Sequence, residues 1–338
     1  MDDDAGRQNS CSPSRASFGL ACPVCRAPLA AWESSTECAR CGQPYAWIDG
    51  IWRFLPPDRR QAYEDFLGRY RVIRSSEGWG SADSVYYQRL PFVSGNDPQK
   101  RIWRIRAKGF RAFTRFFART MPLRVLDAGA GNCWLSSRLA LLGNTVASVD
   151  ISVDPRDGLG ARVHHLARLE CYEAEFDRVP FQDGQFDMVV FNGSLHYTPL
   201  LTPTLREAGR VLLPAGRIVI MDSPFFSDAA SGLAMVEEME AKRARLCGCR
   251  GPGAGTGFLT AAWLQSACRD AGLEMHFLRA DANWHQKLRR RLIRLRIGRE
   301  PARFPIIMIE KRDSAARERP QSQAGEETSA AALEAGTG

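Results

Sequence analysis

After residue 122, short apolar runs alternate with helical patterns, and this alternation restricts the fold more than any other feature of the chain. The strand-like runs lie at 124–128, 145–150, 170–176, 186–192, 216–222, 274–279 and 305–310, and the helical patterns between them lie at 132–142, 204–212 and 260–271. Strands that alternate with helices build a parallel sheet covered on both faces. The sequence therefore predicts an α/β fold with a doubly wound, mostly parallel, seven-stranded sheet.

The rest of the 338-residue chain is shorter and more polar than this domain. We predict a disordered lead-in at 1–20, a small module at 21–55, a helical segment at 58–119, the sheet domain at 120–311 and a disordered tail at 312–338. Residues 223–258 exceed an ordinary connection, and stretches of that length are lids, substrate caps or disorder. We interpret this stretch as a cap.

Four of the ten cysteines form two Cys-x-x-Cys pairs, Cys22 with Cys25 and Cys38 with Cys41, and twelve residues separate the pairs. Each pair can direct two thiolates at one centre, and two pairs complete a tetrahedral zinc site. Four unrelated core cysteines are the first alternative, and a redox motif is the second, although one pair would suffice for it. The spacing predicts a structural zinc ribbon.

The terminal sequence and the cysteine usage bear on the compartment. The N-terminus is acidic and has no apolar core of a signal peptide, and no apolar run approaches the length of a membrane span. Four cysteines in two close pairs, with the others scattered, favour metal binding in a reducing environment. The sequence thus predicts a cytoplasmic protein with no transmembrane segment.

A glycine loop follows the first strand of the sheet domain, in the stretch RVLDAGAGNCWLSSRLA. Gly129 and Gly131 would let a ligand approach the backbone where strand order reverses. Dinucleotide loops have a third glycine where this chain has Trp134, and no Gly-Lys-Ser/Thr follows as in phosphate-binding loops. The loop is therefore poorly suited to a pyrophosphate.

The loop resembles instead the first motif of class I S-adenosylmethionine-dependent methyltransferases of the type 11 kind, which have a Rossmann-like sheet. Asp127, Gly129, Gly131 and Asn132 match this motif, and the resemblance implies that they hold the methionine end of the cofactor. Cys133 departs from the family, which usually has glycine there. We expect Cys133 to begin the helix without a left-handed backbone, and to pack rather than act as a nucleophile.

Further motifs of the same family follow in order. The resemblance implies that Asp150 accepts hydrogen bonds from the ribose hydroxyls and that Ile151 packs on the adenine. It also implies that Glu175 and the backbone of Phe176 recognise the adenine edge. Asn192, which ends the fourth strand, completes the set of cofactor residues that we predict.

The acceptor side is less well defined by the sequence. His196 follows the fourth strand and Asp222 ends the fifth, so either could act as a general base. Packing over the cofactor is the alternative for the histidine, and a turn-forming cap is the alternative for the aspartate. Tyr86 and Tyr87 could cover the cofactor or belong to the core, and 77–80 could be a lid or a turn.

Two features leave the partner open. The net charge of +8 leans towards anionic partners, and 287–303 forms a basic amphipathic pattern that could contact anionic lipid or RNA, or lie with its leucines over a core. Our leading hypothesis is methyl transfer to a small-molecule or lipid-linked acceptor. The alternatives are an rRNA or tRNA methyltransferase that holds RNA with its zinc ribbon, and a non-catalytic binding module.

Overall fold

A computed structural model of the chain describes residues 16–30, 34–250, 255–278 and 284–312. Five short strands come first: β1 (Leu20–Ala21), β2 (Pro28–Leu29), β3 (Ser35–Glu37), β4 (Pro44–Ile48) and β5 (Ile51–Arg53). Three helices follow: α1 (Pro57–Ser76), α2 (Ser84–Arg89) and α3 (Lys100–Phe117). Among the described residues, no helix is both long and apolar enough to span a bilayer.

The sheet domain then alternates strands and helices. Its elements are β6 (Arg124–Ala128), α4 (Trp134–Leu141), β7 (Thr145–Asp150), β8 (Glu170–Glu173), β9 (Phe186–Asn192), α5 (Leu201–Val211), β10 (Leu212–Met221), β11 (Phe225–Phe226), α6 (Ala229–Cys247), β12 (Leu259–Thr260), α7 (Ala261–Asp270), β13 (Leu273–Phe277), α8 (Trp284–Ile297) and β14 (Ile307–Lys311). Short 3-10 helices lie at Leu159–His164 and Leu195–Tyr197. The predicted strands and helices are all present, with ends shifted by a few residues.

One sheet of ten strands runs through the molecule in the order β13-β14-β10-β9-β6-β7-β8-β5-β4-β3. The strands from β10 to β5 in this order are parallel, whereas β14 is antiparallel to both β10 and β13. These six parallel strands bring their carboxyl ends to one edge, and strand order reverses between β6 and β9. Ligands bind outside such a switch point in open α/β sheets.

The prediction of seven strands was wrong, because the cysteine-rich module adds three. Strand β5 lies parallel to β8, with Ile51 opposite Cys171 and Trp52 opposite Tyr172. Both Ile51 and Trp52 are buried, so this apolar stretch of the cysteine-rich module extends the main sheet beyond β8. The module and the sheet domain thus share one core.

The folded chain also begins earlier than predicted. We expected disorder through residue 20, but Phe18 is 3% exposed and stacks on Phe186 at 4.6 Å between ring centroids. Leu20 forms a β-bridge with Phe181. Burial of these apolar side chains explains why 16–20 joins the core. Residues 1–15 and 313–338, where the rest of the predicted disorder falls, lie outside the described residues.

Helices cover the sheet on two faces. On one face, α3 buries a stripe at helical spacing, listed here as Trp103, Ala107, Phe110, Phe113 and Phe117. It packs with Trp134 and Leu135 of α4 in one cluster. The other face carries α5, α7 and the segment around Phe18 in a second cluster. This arrangement leaves the carboxyl edge of the parallel strands to be closed by loops and by α1.

The predicted cap at 223–258 contains a long helix. α6 begins after Asp228, whose side chain accepts a hydrogen bond from the Ser231 amide, and ends at Gly248, whose φ is +71°. Phe258 is buried and packs where Gly232 has no side chain. Arg243 of α6 pairs with Glu77 after α1 at 2.9 Å. The cap is therefore fixed to the helical segment.

Candidate functional site

The glycine loop is a tight turn between β6 and α4 at the carboxyl edge. The amides of Gly129 and Ala130 both donate to the Val149 carbonyl, at 2.8 and 3.0 Å. Gly129 has a φ of +81°, and a Cβ there would collide with Ser194 and lie 3.1 Å from the Phe176 ring. Only glycine fits this backbone and this spacing.

Cys133 corrects one prediction. We expected an ordinary backbone, but its φ is +63°, in the left-handed region. A residue with a Cβ costs about 1–2 kcal/mol in that conformation, which explains why glycine suits the position. Cys133 is fully buried in a small cluster with Cys171, as expected for packing. A hydrogen bond with the Cys171 thiol, and then burial, raise its pKa, which argues against a thiolate nucleophile.

Asp150 ends β7 and closes the loop from the other side. Its Oδ2 accepts from the Gly131 amide at 2.9 Å and its Oδ1 accepts from the Ser152 amide at 2.8 Å. A carboxylate offers about four acceptor positions. These amides do not use every position, and the resemblance assigns the remaining ones to the hydroxyls of a ribose. Burial raises the pKa of Asp150 to about 6 against the opposing effect of the Ser152, Gly131 and Ile151 amides.

Asp127 and Asn132, which the resemblance places at the methionine end of the cofactor, are both buried. Asp127 is 1% exposed, and its Oδ2 accepts from the Ser136 hydroxyl at 2.6 Å. Its Oδ1 is buried without a hydrogen-bond partner among the described residues, and burial raises its pKa to about 7. The Asn132 side chain accepts from the Trp134 amide at 3.4 Å. These two side chains shape the turn, and Asp127 keeps one acceptor free.

Glu175 is already engaged in the structure. It is 5% exposed and accepts hydrogen bonds from the Arg59 guanidinium and from the Tyr63 hydroxyl, the latter at 2.7 Å. Both partners belong to α1, which therefore lies across the adenine side of the predicted cofactor site. The adenine-binding role of Glu175 stays a prediction. It requires the Glu175 carboxylate to bind the adenine as well as Arg59 and Tyr63 of α1. Phe176 packs on Phe191.

A cavity of about 550 Å³ lies between α1, the segment after β7 and the ends of β5 and β8. Its apolar wall includes Ile151, Tyr70 and Trp79. Arg74 pairs with Asp157 and lies 3.6 Å from the Trp79 ring centroid. The volume suits a nucleoside-sized ligand. Of the predicted cofactor residues, Ile151 lines this cavity, whereas Asp150 and Glu175 do not.

His196 and Asp222, the two candidate general bases, lie beyond the ends of β9 and β10, on what we call the acceptor side. His196 is 8% exposed, and its Nδ1 lies 3.2 Å from the Ser223 hydroxyl. Burial, together with the charge of Arg106, lowers its pKa to about 3. Burial raises the pKa of Asp222 to about 6, although Arg106 opposes this shift. The histidine is therefore neutral at pH 7, and the carboxylate titrates closer to neutrality.

Asp222 is held in an uncommon conformation. Its φ is +56°, and its Oδ2 is buried without a hydrogen-bond partner among the described residues. Gly109 of α3 makes room for it, because a Cβ at Gly109 would lie 2.9 Å from Oδ1 of Asp222. The Oδ1 of Asn192 is a second buried acceptor at this edge that has no partner within the described part of the chain. Strain and unpaired polar atoms cluster at functional sites.

Sequence reasoning missed Arg106. A Cβ at Gly193 would lie 3.9 Å from Nη2 of Arg106 and 3.8 Å from Cβ of Asp222, so both groups reach the same point. The guanidinium lies over the rings of Trp79 and Trp103. Across the described ranges, no carboxylate forms an ion pair with it. Nothing in its helical run distinguishes this arginine from its neighbours.

Sequence reasoning also missed the α1 residues Arg59, Tyr63, Tyr70 and Arg74. Their spacing along one helix face was a usable signal, since residues four apart lie on the same side of a helix. Tyr87, in contrast, is core: it is 1% exposed and donates to the Arg156 carbonyl at 2.7 Å. Residues 77–80 form a fixed turn in which Trp79 donates to Glu77 at 3.0 Å.

The four cysteines come together. Their sulfur atoms all lie within 4.8 Å of one another, with 3.6 Å between those of Cys22 and Cys41 and 3.4 Å between those of Cys25 and Cys38. A tight turn presents each pair, closed by hydrogen bonds of 2.8 Å from Arg26 to the Cys22 carbonyl and from Gly42 to the Cys38 carbonyl. The arrangement suits one metal ion bound by four thiolates.

Comparison with known proteins finds similarity in the central segment. Residues 126–220 match a family model described as a methyltransferase domain. A malonyl-acyl carrier protein O-methyltransferase of Erwinia billingiae (strain Eb661) is 30% identical over 105 residues, which are 31% of this chain and 40% of the relative. A demethylmenaquinone methyltransferase of Clavibacter sepedonicus is 34% identical over 128 residues, 38% of this chain and 49% of the relative. The chain thus spans less than half the length of the first curated relatives it matches.

Among solved structures, a magnesium protoporphyrin IX methyltransferase from Synechocystis PCC 6803 with bound SAH is 16% identical. The match covers 75% of this chain and 97% of that one, with a TM-score of 0.45.

Proposed function

We propose that the protein is an S-adenosylmethionine-dependent methyltransferase acting on a small-molecule or lipid-linked acceptor. The observation that carries this proposal is the glycine loop closed by Asp150 at the switch point of the sheet. The loop lies in the segment that matches a methyltransferase domain. When bound there, the cofactor supplies an electrophilic methyl group.

The residues around the loop fit this cofactor. The Asp150 carboxylate accepts from the Gly131 and Ser152 amides and would use its remaining acceptor positions for the ribose hydroxyls. Asp127 keeps one buried oxygen unpaired near the glycines, where a cationic ammonium group would satisfy it. Glu175 and Phe176 would meet the adenine, and Ile151 would pack on it. Asn132 shapes the turn, and Asn192 offers an acceptor where the methyl group is transferred.

Asp222 is the general base in this proposal. A base works best when its pKa lies near the operating pH, and the pKa of Asp222 is about 6 whereas that of His196 is about 3. Arg106 reaches the same point beside Gly193. A hydroxyl held there would give its proton to Asp222 while Arg106 stabilises the negative oxygen. His196 serves as a neutral packing and hydrogen-bonding group.

The cysteine cluster binds a structural zinc ion in this proposal. Zinc bonds to sulfur of about 2.3 Å in a tetrahedron separate the sulfur atoms by about 3.8 Å, close to the distances in the chain. Four protein ligands leave no open position for substrate. The ion would hold β1 to β4 together, and through β5 it would support the edge of the sheet on which α1 lies.

An RNA acceptor is less favoured. The curated relatives described above are named for malonyl-acyl carrier protein and demethylmenaquinone, which are not nucleic acids. The cysteine module packs into the main sheet rather than standing apart as an RNA-binding arm. A non-catalytic module would not need the strained Asp222 beside Arg106. A cytoplasmic location remains a prediction.

The test has two steps. Calorimetry with the zinc-loaded protein should detect S-adenosylmethionine binding, and its absence would refute the proposal. The protein is then incubated with cofactor carrying a tritiated methyl group and with the lipid, small-molecule and RNA fractions of a cell extract. Label should enter the lipid or small-molecule fraction with the wild type and not with Asp222→Asn. Label confined to RNA would favour the alternative.

A further inference from the structure

Helix α8 departs from the expectation that its leucines lie over a core. Leu292 is 60% exposed and Leu295 is 82% exposed. The two are three residues apart and so lie on one side of the helix. Ile297, at the helix end, is 40% exposed. Leu288, which the same pattern includes, lies outside the described side chains. Leu292 and Leu295 thus present an apolar patch to the outside on one side of the helix, and Ile297 lies on another side.

The helix is also strongly cationic. Its fourteen residues include six lysines and arginines and no acidic residue. Arg291, Arg294 and Arg296 are exposed. Across the described ranges, no carboxylate forms an ion pair with any of these three side chains. An isolated helix of this length is marginal in water, so α8 is suited to a partner that takes both leucines and positive charge.

The end of α8 is firmly attached to the cap. Arg299 pairs with Glu238 of α6 through two hydrogen bonds of 2.7 and 2.6 Å. The Glu300 carboxylate accepts from the Ser227 amide at 2.9 Å, and the Glu300 amide donates to the Ser231 hydroxyl at 3.1 Å. A surface that binds α8 would therefore also restrain the cap.

This attachment point is close to the acceptor side along the chain. Arg303 and Phe225 exchange two backbone hydrogen bonds of 2.9 Å. Phe225 follows Asp222 by three residues, and β11, which contains it, lies at the start of the cap and pairs with β12 just after the cap. Phe304, next to Arg303, is 37% exposed. A surface that binds α8 would thus lie beside the cap that covers the acceptor side.

We propose that α8 is an interfacial anchor that docks the protein on bilayers with anionic headgroups. A helix with leucines on one side and arginines around them lies in the plane of such an interface, with its apolar side among the acyl chains. The arginines add attraction to the negative surface. The docking is argued only from α8 and the contacts that attach it to the cap. If the proposed function also holds, docking on a bilayer favours a lipid-linked acceptor over a water-soluble one.

An RNA partner explains less of the same surface. Phosphate binding would use the arginines and leave both leucines exposed to water. Because anionic lipid and RNA share the charge term, the leucines separate the two partners. The experiment therefore changes the leucines and leaves every arginine in place.

The test is co-sedimentation of the full chain with vesicles of phosphatidylcholine alone or mixed with phosphatidylglycerol. We expect at least tenfold tighter binding to the mixed vesicles. The double substitution Leu292→Ser with Leu295→Ser should weaken that binding at least tenfold. The matched control is Leu141→Ser with Leu142→Ser, because these leucines are 54% and 48% exposed at the end of α4, and it should bind as the wild type does.

Equal binding of the wild type to both vesicle types, no binding to either, or an undiminished affinity of the Leu292/Leu295 variant would overturn the proposal. Binding to a single-stranded RNA oligonucleotide that exceeds vesicle binding and ignores the leucines would assign the surface to RNA. Calorimetry with S-adenosylmethionine on the same variants keeps the two proposals apart. The leucine variant should bind the cofactor normally, whereas vesicle binding without cofactor binding would contradict only the proposed function.

Discussion

Replacing Asp150 should separate cofactor binding from folding. Two amides and two predicted ribose hydroxyls share its carboxylate. Asp150→Ala removes both hydroxyl contacts at once. Hydrogen bonds to a charged group contribute about 1.5–3 kcal/mol each, so two contribute about 3–6 kcal/mol. Since about 1.4 kcal/mol is a factor of ten, the affinity should fall about a hundredfold to ten-thousandfold.

The pKa of the same group predicts a pH dependence. Its unfolded value is about 3.9 and its folded value is raised to about 6, so the folded protein binds more protons between these values. The stability contribution of Asp150 therefore decreases as pH rises through this window. Binding has the opposite sign, because the ribose needs the ionised carboxylate. Affinity should be full above pH 6 and fall about tenfold for each unit below it.

The assay is calorimetry with S-adenosylhomocysteine, which binds without turnover, between pH 5 and pH 8. Asp150→Asn should lose the step near pH 6 as well as affinity. Glu310→Gln is the control, because this carboxylate forms a partly exposed pair with Arg217 at 2.8 Å far along the sheet. An Asp150→Ala variant that folds and binds within threefold of the wild type would refute the assignment, and so would a flat pH profile.

Three other expectations follow from the site. Cys38→Ser, or chelation of the metal, should lower the melting temperature by several degrees, because the module shares the core of the sheet. Each kcal/mol of lost stability lowers the melting temperature by about 2–4 °C in a protein of this size. An unchanged melting curve would contradict a structural ion. Arg59→Met leaves the buried Glu175 with Tyr63, so the free energy of unfolding should fall by about 1–3 kcal/mol in urea titrations, and no change would show that the pair is dispensable. Asp222→Asn should lower kcat about a hundredfold or more and remove its fall below pH 6, with S-adenosylhomocysteine affinity kept; normal kcat would eliminate Asp222 as the base.

Local sequence patterns predicted much of the sheet domain, because strands, helices and turns depend largely on residues close together in the chain. Apolar runs and helical spacing defined β6 to β10, α4 and α7 to within a few residues, and Thr260 caps α7 as its sequence suggests. The two Cys-x-x-Cys pairs predicted a cluster because each turn is closed by its own neighbours. Glycines marked the loop because backbone conformation is a local property.

Contacts between distant segments were not predictable in this way. The pairing of Ile51 with Cys171, which made seven strands into ten, depends on which exposed sheet edge a short apolar strand meets. The left-handed backbone of Cys133 belongs to a loop that is tied to Val149 on the neighbouring strand by two hydrogen bonds, from Gly129 and Ala130. The partners of Glu175 lie 112 and 116 residues earlier, so no local pattern could reveal them.

The sequence by itself determined the elements, the metal-binding pattern and the methyltransferase-like motifs, since each depends on residues close together in the chain. Tertiary structure decided how the cysteine module joins the sheet, which side chains of α1 close the cofactor side, and that Arg106 and Asp222 meet beside Gly193. It also decided that Leu292 and Leu295 face outward. The physical reason is that burial and charge pairing depend on which residues pack together in space, and many of those residues are far apart in the sequence.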